Sequence, residues 1–202
     1  MNGNKFKQQL FEQLEFKNNQ ILEEENPILN SYLTQSYFII NEILRNELSS
    51  DRFQLLELLE KEFSTIDKFT GKIVYRCDPG IYFNKFFLEN MGKVICFPCI
   101  LSCYRNKSNM SIQEFGEDDF YFKILLNQSN TNAYDTKSQK NYNSREDEVA
   151  FSPNTNFKII NIQNQCIQLQ ETLEKANFHL FQNSDPYYQK SIFNNNLFAD
   201  EI

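Results

Sequence analysis

The feature that most constrains the fold is a change of period near Phe69. Before it, apolar residues recur every three or four positions. Phe6, Leu10, Phe11 and Leu14 predict one helix. Asn26-Pro27 reads as an N-cap followed by proline at the first helical position. From there Ile28, Leu29, Tyr32, Leu33, Ile39, Ile40, Ile43 and Leu44 form a broad apolar face. A further helix is expected from about Asp51, with Phe53, Leu55, Leu56, Leu58, Leu59 and Phe63 inward and its glutamates facing water. After Phe69 the texture is that of strands: Lys72–Arg76, Lys93–Leu101, Phe120–Leu126, Asp147–Phe151 and Asn156–Ile162. Ser152-Pro153-Asn154-Thr155 reads as a hairpin turn joining the last two. A polar segment from Asn127 to Arg145 reads as a long loop, and Cys166–Phe178 as partly helical before an Asn-rich tail. Helices in front of a mainly antiparallel sheet make an α+β chain.

At 202 residues there is material for one sizeable core, and 20 phenylalanines help fill it. The net charge of −7, with scattered basic residues, argues against a nucleic-acid surface, which needs clustered Lys and Arg. No stretch is apolar for long enough to cross a bilayer, and Met1–Leu10 lacks the apolar run of a secretory signal. With five cysteines, an odd number, this favours a reducing, cytoplasmic setting without membrane attachment.

Chemistry is best sought at the ends of the strands. Arg76 ends the first and Ser102 the second, while Glu146 and Glu148 flank Asp147 where the fourth begins. Residues two apart in a strand share a face, so Glu146 and Glu148 are expected side by side. Two carboxylates on one face repel unless they have work to do or a cation nearby. Taken singly, each residue also fits an ordinary surface role: an ion pair for Arg76, a solvated edge for the acidic pair.

Their order along the chain gives them a context. Tyr75-Arg76, the stretch Phe97-Pro98-Cys99-Ile100-Leu101-Ser102-Cys103, and Glu146-Asp147-Glu148-Val149 leading into Phe151–Ile159 follow one another. In the front half stand Tyr32-Leu33-Thr34 and Asn41-Glu42-Ile43-Leu44-Arg45. Together these resemble the arginine–serine–glutamate class of mono-ADP-ribosyltransferases, with the Glu-x-Glu motif of its arginine-specific members. The resemblance runs from about Pro27 to Ile162 and is most specific over Glu146–Ile159.

It implies an α+β ADP-ribosyltransferase fold, N-terminal helices packed on a split, mainly antiparallel sheet, with NAD in the cleft between the halves. The implied organisation is a helical extension over residues 1–26, the transferase domain over 27–163, and a C-terminal helix and irregular tail over 164–202. The implied reaction moves ADP-ribose from NAD, or NADP, to an arginine on a target protein and releases nicotinamide, with no metal. Arg76 would grip the cofactor phosphates and Ser102 the nicotinamide ribose, while Glu148 would stabilise the positive charge developing on the anomeric carbon. Glu146 would orient the acceptor guanidinium, and Tyr142 and Asn143 would meet the target protein.

Several residues depart from the pattern. Cys77 stands where the family has glycine, Ser102-Cys103-Tyr104 replaces Ser-Thr-Ser, Ala150 replaces a larger aliphatic, and Asn154 replaces a turn glycine. Asn tolerates positive φ, so the last is mild. These departures keep a second reading open: a weakly active or inactive relative serving as a binding or structural component. NAD hydrolysis, with water as acceptor, is a variant of the first.

Two other signals are set aside. Cys96-Phe97-Pro98-Cys99 has redox or metal spacing, yet the only histidine, His179, is remote and the context is not βαβ. Buried cysteines in a strand account for it. His179, between Phe178 and Leu180, reads as a packing residue.

Overall fold

The computed structural model describes residues 26–78, 86–110, 120–139, 141–142 and 147–180. The expected helix over Phe6–Leu14, the run Glu23–Glu25, the turn Asp78-Pro79-Gly80 beyond its first residue, Asn143, Glu146 and the tail after Leu180 lie outside them.

The front half is helical as expected: α1 (Pro27–Ser31), a wide turn over Tyr32–Ser36, α2 (Tyr37–Arg45) and α3 (Ser50–Ser64). Several features differ from the reading of the sequence; Phe53, expected inward on α3, is exposed. Asn26 does not cap α1 with its side chain, and it adopts a left-handed φ of 54°. The cap comes from Glu62 on α3, whose two carboxylate oxygens accept from the amides of Ile28 and Leu29 at 2.8 Å each. One of the glutamates expected to face water is therefore buried, satisfying amides that a helix start leaves orphaned. The helix is also broken at Thr34 (φ −117°, ψ −136°).

Behind the helices lies a nine-stranded sheet, ordered β5-β6-β3-β1-β4-β8-β7-β2-β9. In chain order its strands are β1 (Ile73–Asp78), β2 (Val94–Phe97), β3 (Leu101–Tyr104), β4 (Phe120–Leu125), β5 (Ala133–Asp135), β6 (Glu148–Phe151), β7 (Thr155–Gln163), β8 (Cys166–Glu171) and β9 (Phe178–His179). Pairing is antiparallel except for β4 with β8 and β2 with β9. The split lies at β1. It pairs with β4 from Ile73↔Leu125 to Asp78↔Phe120, but touches β3 in register only at Tyr75↔Tyr104.

Four sequence expectations are corrected. The run Lys93–Leu101 is not one strand: Pro98, which cannot donate to a ladder, separates β2 from β3. Ser102 therefore lies within β3 rather than at a strand end. Ser152–Thr155 is a turn, with Asn154 at φ 62°, but no hairpin, because β6 pairs with β3 and β5 while β7 pairs with β2 and β8. The turn carries the chain from one half of the sheet to the other. The polar segment after Asn127 holds β5 and a short helical turn, Thr136–Ser138. Finally, Cys166–Glu171 is strand β8, not helix, with Ile167 and Leu169 buried and Gln168 and Gln170 between them.

The core has two parts, one on each face of β3 and β6. Val149 and Phe151 join Leu101 and Cys103 in a Phe-rich cluster with Phe87, Phe97, Phe122 and Phe157. Ala150, facing the other way, packs with Ile100 under the helices against Leu29, Ile40, Leu55 and Leu59. A larger residue at 150 would press on that helical layer. No helix among the described residues is long and apolar enough to cross a membrane.

Candidate functional site

The site forms where the helical cover of β3 and β6 ends. In the ladder Tyr104 stands opposite Glu148 and Ser102 opposite Ala150, so their side chains share the helix-facing surface. Ser102 Oγ donates a hydrogen bond to Glu148 Oε1. Across the split, Arg76 Nη1 donates to the main-chain carbonyl of Ser102 at 2.7 Å. Three residues that lie far apart in the sequence thus meet within one hydrogen-bonded chain.

They open onto a cavity of about 450 Å³, lined also by Tyr32, Thr34, Tyr37, Phe38, Asn41 and Arg45. The break at Thr34 separates two helical segments, and residues on both sides of it line this space. Tyr37 and Phe38 are exposed on its rim, two flat apolar surfaces beside two guanidinium groups.

The front-half residues named from the sequence hold the site rather than merely border it. Asn41 takes both hydrogen bonds of one peptide residue, donating to the carbonyl of Ile100 (3.2 Å) and accepting from its amide (3.1 Å). The Tyr32 hydroxyl donates to the same carbonyl at 3.3 Å. Helix α2 thereby supplies a strand-like partner to the segment between β2 and β3, and this fixes the entry to Ser102. Tyr32 is buried; burial pushes its hydroxyl well above the ordinary tyrosine range, the Arg76 charge opposes this, and Cys99 and Glu148 add to it. It stays a neutral donor at any physiological pH.

Glu148 opens β6, and the residue before it, Asp147, has a left-handed φ of 48°. Strand β6 is described from Glu148 onward, and Glu146, expected beside it, lies outside the described residues. A left-handed aspartate costs about 1 kcal/mol and needs support from its surroundings. That support comes from residues that sequence reasoning missed. Arg105 Nε donates to Asp147 Oδ1 at 2.9 Å, and its two terminal nitrogens grip Asp135 at 2.8 and 3.2 Å. The guanidinium also lies 4.6 Å from the Phe69 ring centre. Tyr142 Oη donates to Asp147 Oδ1 at 2.7 Å, so the residue expected to meet a target protein is tied inward at its hydroxyl. Burial alone would raise Asp147 and Asp135. The hydrogen bonds and charge of Arg105, with those of Tyr142 on Asp147 and Lys137 on Asp135, outweigh it and hold both carboxyls below the usual range.

Outside this site the cysteine pair behaves as small apolar residues. All five cysteines are free thiols. Cys96 is buried on β2, and burial pushes its thiol up to about 12. Among the described residues no group of three or more His, Cys, Asp and Glu is placed to hold a metal. His179 is exposed rather than packed; its contribution is backbone pairing of β9 with β2.

No family model matches the sequence, and no curated protein matches it either. Solved structures do. The ADP-ribosyltransferase Vis of Vibrio splendidus, in a complex with agmatine, is similar over 82% of this chain and 84% of its own, with a TM-score of 0.59 and 18% identity. The chain has the ADP-ribosyltransferase fold. The Clostridium limosum C3 exoenzyme matches 77% of this chain and 87% of its own at a TM-score of 0.55 and 17% identity. The ADP-ribosylating toxin BECa of C. perfringens, crystallised with NADH, matches 76% of this chain at a TM-score of 0.53 and 19% identity. The match spans 44% of the BECa chain.

Proposed function

We propose that the protein is a mono-ADP-ribosyltransferase that takes ADP-ribose from NAD and attaches it to an arginine of a target protein. The observation that carries this reading is the chain of contacts Arg76–Ser102–Glu148, opening onto one cavity in this fold. Its volume lies within the range of small-molecule sites. Its lining suits a dinucleotide: Arg76 and Arg45 match phosphate oxygens, and Tyr37 and Phe38 offer faces to flat rings. Two structural neighbours add support. Vis is described with agmatine, which bears a guanidinium, and BECa with NADH.

In this reading the bond between nicotinamide and the ribose anomeric carbon breaks, and its electron pair leaves with nicotinamide. Positive charge then develops on the ribose, and the Glu148 carboxylate stabilises it. Ser102, already bonded to Glu148, is placed to hold both the carboxylate and a ribose hydroxyl. Arg76 fixes the phosphates, so the ribose cannot turn away as the bond lengthens. A guanidinium nitrogen of the acceptor, oriented by Glu146, forms the new bond, and its proton passes to the Glu146 carboxylate.

The test is incubation with labelled NAD and a small guanidine such as agmatine. Nicotinamide release together with a labelled adduct is expected. Glu146→Ala should keep NAD hydrolysis while losing transfer, and retained transfer would remove the role given to Glu146. Neither release nor any NAD-dependent rise in melting temperature would leave a binding or structural component instead.

A further inference from the structure

We infer that Arg105 and Asp147 form a positioning clamp that sets the orientation of Glu148; the inference rests on the catalytic role given to Glu148 above. Nearly every polar group around the Asp147–Glu148 peptide is held from outside the strand. The Asp147 carbonyl accepts from the Arg105 amide at 3.1 Å. The Asp147 carboxylate accepts from Arg105 Nε, Tyr142 Oη and, at 3.4 Å, Asn106 Nδ2. The Glu148 carbonyl accepts from Thr136 Oγ1 at 2.8 Å, and Ser102 holds the Glu148 side chain. Arg105 closes the ring by gripping Asp135, whose Oδ1 also accepts the Lys137 amide at the start of the helical turn bearing Thr136.

This is more than a sheet edge needs. Strand β6 is already paired on both sides, with β3 and with β5. The added bonds converge on one left-handed residue directly before the catalytic carboxylate. The left-handed backbone at Asp147 sets the direction in which the chain enters β6, so a change of φ or ψ there should turn the Glu148 side chain relative to Ser102. Neither Arg105, Asp135, Thr136 nor Asp147 lines the cavity; the clamp adjoins the lining at Glu148 and at Tyr104, the residue before Arg105. Its loss should therefore change the rate of bond breaking and leave NAD binding as it was.

The experiment measures nicotinamide release by the full chain, with kcat and the KM for NAD read separately. Asp147→Gly keeps a residue at ease with positive φ but removes the side-chain bonds. Its kcat should fall tenfold or more while the KM for NAD stays within twofold. Asp147→Asn, which tolerates the same backbone and retains an acceptor oxygen, should recover most of that loss. Arg105→Lys preserves the charge without the fork and should lose several-fold in kcat at an unchanged KM, and it covers the case in which the glycine variant fails to fold. Wild-type kcat in folded Asp147→Gly and Arg105→Lys, or a loss that appears in KM, would overturn the clamp alone. A wild-type protein inert toward NAD would instead remove the catalytic reading and the clamp with it.

Discussion

The two halves of the sheet are held together by different physics. In sheet order, the half β4-β8-β7-β2-β9 rests on packed rings: Phe87 lies 5.2 Å from Phe122 and Phe97 5.6 Å from Phe157, centre to centre, and Phe151 of β6 reaches Phe157 from the other half at 5.0 Å. The half bearing β3, β5 and β6 carries the polar network of Arg105, Asp135 and Asp147, the asparagine clasp on Ile100, and the site itself. Apolar packing fixes where strands lie but tolerates small shifts of a side chain. Directional, partly buried hydrogen bonds fix the angle of one group, and a single missing partner leaves the rest unsatisfied. Most of the ring packing thus lies in one half, and the polar network that aims Glu148 lies in the other.

The sharpest way to break this division is to truncate a ring in the first half. Phe157→Ala should cost about 3–5 kcal/mol, read as an earlier denaturant midpoint, while residual folded protein keeps its turnover per molecule. Removing the cap at the edge of the helical layer is the next test. Glu62→Ala strands the Ile28 and Leu29 amides and should cost about 1–3 kcal/mol by the same measurement. Arg52, whose Nε donates to the Leu44 carbonyl and whose Nη2 donates to Asn154, ties the helices to the turn between the halves. Arg52→Ala should cost roughly 1–2 kcal/mol.

Acid should separate the halves most gently. Asp135 and Asp147 have folded pKa values below their unfolded ones. Their contribution is therefore full above the unfolded carboxylate value near pH 4 and is lost as pH falls through the folded values. Melting temperature should decline below about pH 4, and less steeply in Asp147→Asn. An equal slope in that variant would mean that the clamp carries no linked stability.

How much of this was legible in the sequence follows the same division. The α+β order and the helices between Pro27 and Ser64 were readable, because each rests on a local pattern; Arg76 and Ser102 were readable as strand residues, although neither ends its strand, and Glu148 as the start of β6. The hairpin at Ser152–Thr155 was misjudged because turn composition reveals that a chain turns, not which strands it then joins. Strand β8 differs from the helical reading although its antiparallel partner β7 directly precedes it; the Asn164-Gln165 turn between them, both residues at positive φ, lacks the glycine that usually marks such a hairpin, and the parallel partner β4 lies about 45 positions earlier. Strand β5 hid in a polar stretch because it is three residues long and depends on Glu171, which accepts from the Asn127 and Asn132 amides and the Thr131 hydroxyl. The clamp escaped notice for a related reason: Arg105, Asp135 and Asp147 are ordinary surface residues until the fold brings them together.

The most direct test of the central claim is single-turnover release of nicotinamide from NAD by the wild-type protein and by Glu148→Gln, with melting temperatures measured alongside. Glu148→Gln keeps the shape and a hydrogen-bond acceptor for Ser102 but not the charge. Release should fall by about a hundredfold or more, with a melting temperature close to that of wild type. Equal release by the two proteins would contradict the role of the Glu148 carboxylate.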